Sequence, residues 1–245
     1  MLRSLNDLRK YSIHAKDGDL GTVHDFFFDD HEWIVRYLVV DTGTWLPGRK
    51  VLISPASIST AHWSSRRLDL DLTQKQVKDS PAVAVDKPVS RQLETQLAQY
   101  YAWPVYWEPH ALGPVPLYAK AVAEKQAGNS EARPGDPHLR SVKEVTKYRI
   151  AAKDGEVGHV EDFIAEDETW TIRYIVVDTR NWLPGRKVLV APTWIEAVDW
   201  RGGKVDVVLS RETVKGSPEF DPSVPVNREY EARLYDYYGR PVYWK

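Results

Sequence analysis

Seven histidines, no cysteine and a set of acids recurring at a fixed spacing define the chemistry this chain can offer. Without cysteine there are no disulfides, thiolate metal sites, cysteine nucleophiles or iron–sulfur ligands. The residues 137 positions away from His14, His24, His31, His62 and His159 are Ala151, Glu161, Glu168, Asp199 and Thr22. His110 and His138 fall in the segment between the repeated blocks described below. No histidine recurs at its mate and no H-E-x-x-H spacing occurs, so no metal site is expected. There is no G-x-S-x-G elbow, phosphate loop or dinucleotide fingerprint. The expectation is no catalytic residue, no cofactor and no metal.

The acids do recur: Asp17/Asp154, Asp25/Asp162, Asp41/Asp178, Asp69/Asp206 and Glu94/Glu231. Paired carboxylates such as Asp41 and Asp69 are the groups glycoside hydrolysis uses. The reading preferred here is structural. Asp17, Gly18, Gly21, Asp25, Arg36 and Asp41 form the first structural set. Asp154, Gly155, Gly158, Asp162, Arg173 and Asp178 are its repeat. Asp17 and Asp154 belong to turns, Arg36 pairs with a nearby acid, and Glu94 with Arg91 supports a helix or its docking.

One loop differs in kind. Asp41-Thr42-x-x-Trp45-Leu46-Pro47-Gly48-Arg49-Lys50 presents an aromatic, an aliphatic and two bases, and Asp178 to Lys187 repeats it. A hydrophobic anchor with a charged rim suits a partner contact. The contact residues expected are Trp45, Arg49, Lys50, Trp182, Arg186 and Lys187. The same loop could instead close the end of its domain, or join the two copies.

The elements that position these residues come from one unit written twice. Ser4–Trp107 lies on Ser141–Trp244 without a gap, and 15 of 21 residues from Trp33 to Ile53 are identical to Trp170–Val190. The expected domains are 1–107 and 141–245, joined by a linker over 108–140. Within the linker, Leu117 to Gln126 reads as a short helix. Each unit opens with a capping-box pattern, Ser4/Asp7 and Ser141/Glu144. Five or six short strands follow, too closely spaced for crossover helices. Ser90 and Asn227 cap a C-terminal helix, and both tails end in YYxxPVYW, aromatics expected to seal their own unit or the contact between the copies, with a ligand or partner surface as the alternative. The fold class expected is mainly β: two tandem small barrels with short helical additions, packed with pseudo-twofold symmetry.

The chain has 245 residues, 10 Trp and 13 Tyr, so most of it should fold. With 33 basic against 35 acidic residues it lacks a global basic footprint, which argues against nucleic acid as partner. No stretch reaches the roughly 20 apolar residues of a bilayer span, and no signal-peptide run opens the sequence. A soluble protein is expected.

The motif K-D-G-x-x-G-x-V-x-D at Lys16–Asp25, with R-Y-x-V-V-D at Arg36–Asp41, resembles the PRC-barrel domain. Lys153–Asp162 and Arg173–Asp178 repeat it. The resemblance covers about residues 4–80 and 141–217. The family includes the cytoplasmic domain of the photosynthetic reaction centre H subunit and, more distantly, the C-terminal domain of the ribosome maturation factor RimM. It implies small β-barrels without family-wide catalytic residues, in a bacterial cytoplasm. The leading expectation is a noncatalytic binding or scaffold protein with a protein partner. Alternatives are an accessory subunit of a membrane electron-transfer complex held at the inner membrane through its partner, an RNA or ribosome-assembly factor, and a carboxylate-dependent hydrolase.

Overall fold

The computed structural model describes residues 1–83, 89–107, 138–179 and 186–244. The expected 117–126 helix and Trp182 lie outside the described residues. The first repeat contains β1 (Leu2–Ser4), α1 (Leu5–Leu8), β2 (Ser12–Ala15), β3 (Gly18–Asp29), β4 (Ile34–Asp41), β5 (Lys50–Ile53), β6 (Ile58–His62), β7 (Arg67–Leu70), α2 (Gln74–Lys78) and α3 (Arg91–Tyr101). The second runs β8 (Leu139–Ser141), α4 (Val142–Val145), β9 (Arg149–Ala152), β10 (Gly155–Glu166), β11 (Ile172–Asp178), β12 (Lys187–Val190), β13 (Ile195–Asp199), β14 (Lys204–Val207), α5 (Arg211–Gly216) and α6 (Arg228–Tyr237).

Each repeat builds the same mixed sheet, β5-β4-β3-β2-β7-β6 and β12-β11-β10-β9-β14-β13. All neighbours are antiparallel except β2 with β7 and β9 with β14. Among the described residues no pairing joins β5 to β6 or β12 to β13. The sheets are therefore strongly bent open paths rather than closed barrels. Register shifts at Val23/Asp25 and Phe27/Phe28 mark bulges in the long β3, as do Val160/Asp162 and Ile164/Ala165 in β10. Bulges bend and twist a strand. They let one strand pair with β2 along its first half and with another partner along its second.

That other partner comes from the other repeat. β8 adds to β3 through Phe27–Asp29, and β1 adds reciprocally to β10 through Ile164–Glu166. Each repeat donates its opening strand to its mate, giving the pseudo-twofold pairing. Trp33 and Trp170 adopt a left-handed backbone, φ 57 in both. A bulky residue there is strained. The conformation turns the Trp33 carbonyl toward Ile172 N–H (2.7 Å) and the Trp170 carbonyl toward Val35 N–H (2.9 Å), tying the seam. The main apolar core runs continuously through both repeats, with a smaller cluster under α3.

Gly21 and Gly158 are required by close approach. A Cβ on either would lie 1.9 or 2.0 Å from the carbonyl oxygen of Asp41 or Asp178, and φ is +134 and +145. Gly18 and Gly155 open β3 and β10 at φ +156 and +139, after the Lys-Asp turns. No helix among the described residues is long and apolar enough to cross a membrane.

Candidate functional site

The recurring acids sit at three kinds of joint. Asp17 accepts the backbone N–H of Gln74 (2.7 Å) and Asp154 that of Arg211 (2.7 Å), so each caps the short helix after the sheet. Asp25 accepts Ser141 Oγ–H (2.5 Å) and the Lys143 N–H (3.0 Å) across the seam. Asp162 likewise accepts from Ser4 and from Asn6 N–H (3.0 Å). The capping serines thus serve their own helix and the opposite repeat's aspartate together. Burial pushes the Asp162 carboxyl up to about 6, against the hydrogen bonds that favour its charged form.

Glu94 and Glu231 are fully buried, on the inward faces of α3 and α6. Glu231 accepts from Tyr174 (2.7 Å) and Tyr243 (2.7 Å) and pairs with Arg228 (3.1 Å). Glu94 accepts from Tyr37 (3.3 Å) and Tyr106 (2.5 Å), pairs with Arg91 (3.1 Å), and meets His138 Nε2 at 2.9 Å. Arg36 stacks on Tyr106 and Arg173 on Tyr243, at 3.8 and 4.2 Å from the ring centres. Arg36 also pairs with Glu32, and Arg173 with Glu166 (2.5 Å). Burial first, then the adjacent glutamate, raises the Tyr37 and Tyr106 hydroxyls far above their ordinary range. These are docking nodes: the phenols stay protonated and donate. Leu93 and Tyr100 are less buried, because Glu94, Leu97 and Ala98 take the inner face of α3.

The loop bases are engaged inside the molecule. Arg49 donates to the carbonyls of Lys78 (2.6 Å) and Ser80 (2.6 Å), closing the end of α2. Arg186 donates to the Ser217 carbonyl beyond α5. Lys50 Nζ meets His24 Nε2 at 3.0 Å, and Lys187 pairs with Glu161 at 2.7 Å. Trp45 is half-buried and packs against the core. Asp41 accepts the Gly43 N–H (2.9 Å), Asp69 pairs with His62 (2.9 Å) and Arg67 (2.9 Å), and Asp178 is buried near His159.

A feature the motifs did not announce is a cleft of about 410 Å³ between the first repeat's aromatic tail and the turn after β10. That volume suits a small ligand or a side chain. Its walls include Tyr37, Trp63, Trp103, Tyr106, Trp107 and Trp170, with Arg36 inside and exposed Glu168 at the mouth. Neither Asp41 nor Asp69 lines it. Ala56, Ala61 and Ala98 line it; their mates are Thr193, Val198 and Tyr235. Beneath the adjoining seam, Ala165 stands opposite Phe28 in the repeat alignment. Phe28 packs on Trp33 (5.3 Å) and Phe163 (5.5 Å). The aromatic tail marks one wall of this place in the sequence, and the small residues facing it emerge only from a repeat-by-repeat comparison.

Comparison of the chain with protein-family models returns no match, and comparison with curated proteins returns none either. The two repeats are therefore each other's best guide.

Proposed function

We propose that the chain is a noncatalytic binding protein in which two PRC-barrel-like units form a rigid paired scaffold for a protein partner. The supporting observation is the cleft: one repeat keeps an aromatic-walled opening where bulkier side chains stand in the other. Aromatic residues and arginine dominate binding hot spots, and a concave patch of them is the arrangement that captures a partner. The recurring acids are occupied in holding helices and the seam. On this reading Arg49 and Lys50 stiffen the loop that carries Trp45, and Arg186 and Lys187 hold the start of β12. The setting would be cytoplasmic, with any attachment to a membrane made through the partner.

The test is crosslinking of the tagged full-length chain in its native cells, with quantitative identification of what is captured. Parallel arms carry Glu168→Lys at the cleft mouth and Trp45→Ala in the loop. A partner enriched by the native chain and lost with Glu168→Lys, at unchanged melting temperature, supports the reading and the cleft. Loss only with Trp45→Ala moves the contact to the loop. Specific enrichment of nothing would sink the proposal. The captured protein's identity would separate a membrane electron-transfer complex from ribosome assembly.

A further inference from the structure

We propose that the cleft is a socket for a tyrosine side chain of the partner; this rests on the binding reading above and names the chemistry the site accepts. The second repeat shows what belongs there. Tyr235 projects from α6 into an aromatic cage, with ring centres 6.4 Å from Tyr174, 5.5 Å from Trp194, 6.1 Å from Tyr243 and 5.5 Å from Trp244. The mates of Tyr174, Tyr243 and Trp244 are Tyr37, Tyr106 and Trp107, and all three line the cleft. The mate of Tyr235 is Ala98, which also lines it. The cage is present and its ring is missing.

The other large exchange around the cage is compensated. Trp194 replaces Ser57, but the first repeat supplies its own indole from Trp103, whose mate is Arg240. Trp103 stacks on Tyr101 at 4.2 Å, and Trp194 packs on the equivalent Tyr238 at 4.4 Å. Trp103 Nε1 donates to Ser57 Oγ at 2.7 Å, so the small residue is satisfied. Trp103 also takes over one contact of the Tyr235 ring, standing 6.1 Å from Tyr37, but among the described residues no ring of α3 meets Tyr106 or Trp107 as Tyr235 of α6 meets Tyr243 and Trp244. Offset and edge-on aromatic contacts favour a ring in such a cage over an aliphatic group.

The polar groups fit a phenol on a protein chain. The Tyr37 hydroxyl donates to Glu94 at 3.3 Å, and its oxygen lone pairs remain able to accept an incoming phenol O–H. Exposed Glu168 at the mouth would meet a basic residue flanking the inserted tyrosine.

The test uses the full-length chain and p-cresol, the tyrosine side chain as a free molecule, with cyclohexanol as the aliphatic control. Indole N–H resonances are followed by NMR. Wild type should bind p-cresol with millimolar affinity, shifting the Trp107 resonance, and should prefer it to cyclohexanol. Ala98→Tyr should fill the socket: the fold is kept, and p-cresol binding falls about tenfold or more. Tyr235→Ala should open the mate site, and a second equivalent of p-cresol should bind. Absence of binding to wild type, unfolding by Ala98→Tyr, or no second site in Tyr235→Ala would each overturn the socket. If p-cresol is excluded by Ala98→Tyr while partner capture persists, the scaffold reading stands and the tyrosine assignment falls.

Discussion

The two repeats share one framework and differ in how it is filled. Both anchor their terminal helix through a buried glutamate, two tyrosines and an arginine stacked on the aromatic tail. Both cap the opposite repeat's opening helix through a buried aspartate. Around that framework the second repeat places Tyr235, Trp194 and Val198 where the first has Ala98, Ser57 and Ala61. The polar joints are the constant part because each group in them is buried and needs its partner. The apolar filling can vary, since a missing ring leaves space without stranding a charge or a donor.

The largest effects should come from breaking the constant part. Glu231→Ala leaves two buried phenols without their acceptor and should cost about 3 kcal/mol, read from denaturant midpoints. Glu94→Ala should cost less, because the Tyr106 O–H can turn to His138 Nε2 at 2.9 Å and both groups stay partnered. Equal losses in the two variants would mean that His138 does not take over the Tyr106 phenol.

Glu94 also shows why part of the molecule was hidden in the sequence. The repeat, most strand positions, the Lys-Asp-Gly turns and both terminal helices follow from periodicity and turn chemistry. A glutamate beside Arg91 reads equally well as a solvated helix charge, so its inward face and tyrosine partners were not legible. β1 and β8 are only three residues each and gain their strand character from the opposite repeat. β4 starts at Ile34 rather than at the head of the apolar run because the Trp33 backbone turns left-handed at the seam. The barrel expectation came from strand spacing, which does not say whether the sheet's two ends meet. For the candidate site, the Trp-Leu-Pro-Gly-Arg-Lys motif stood out by composition, while the cleft depended on alanines that carry no motif.

An effect of comparable size separates the two seam aspartates. Arg9 lies 3.9 Å from Asp25, and its mate in the second repeat is Thr146, which brings no charge to Asp162. The Asp162 carboxyl stands at about 6 in the folded chain, above its ordinary value of 3.8. The folded state therefore binds this proton more tightly than the unfolded state. The associated stability is fully present below about pH 4 and is lost as pH rises through about 6. The full span is ~3 kcal/mol at 1.36 kcal/mol per unit. Asp162→Asn should flatten the stability profile between these limits. Thr146→Arg should flatten it too, by favouring the charged carboxylate; an unchanged slope in both variants would remove Asp162 as its source.

Next in size are the loop bases. Arg49→Ala removes the donors to the Lys78 and Ser80 carbonyls and should cost about 1–2 kcal/mol. Arg186→Ala should act in the same direction through Ser217. If thermal melting were untouched while partner capture failed, the arginines would belong to the contact surface rather than to the loop's support.

The smallest difference lies at the ends of β5 and β12. Lys187 has a carboxylate partner in Glu161, whereas among the described residues Lys50 meets His24, whose pKa is lowered by burial and then by Lys50 itself. The imidazole is thereby biased toward its neutral form, so it accepts from Lys50 without supplying an opposite charge. His24→Glu transplants the second repeat's ion pair into the first. Both groups of the existing pair are partly exposed, so the gain should be about 0.5 kcal/mol. Screening shortens the reach of such a pair to about 3 Å at molar salt, so the gain should fade there. A gain that survived molar salt would come from packing of the longer side chain, and the repeats would then differ at this point in shape rather than charge.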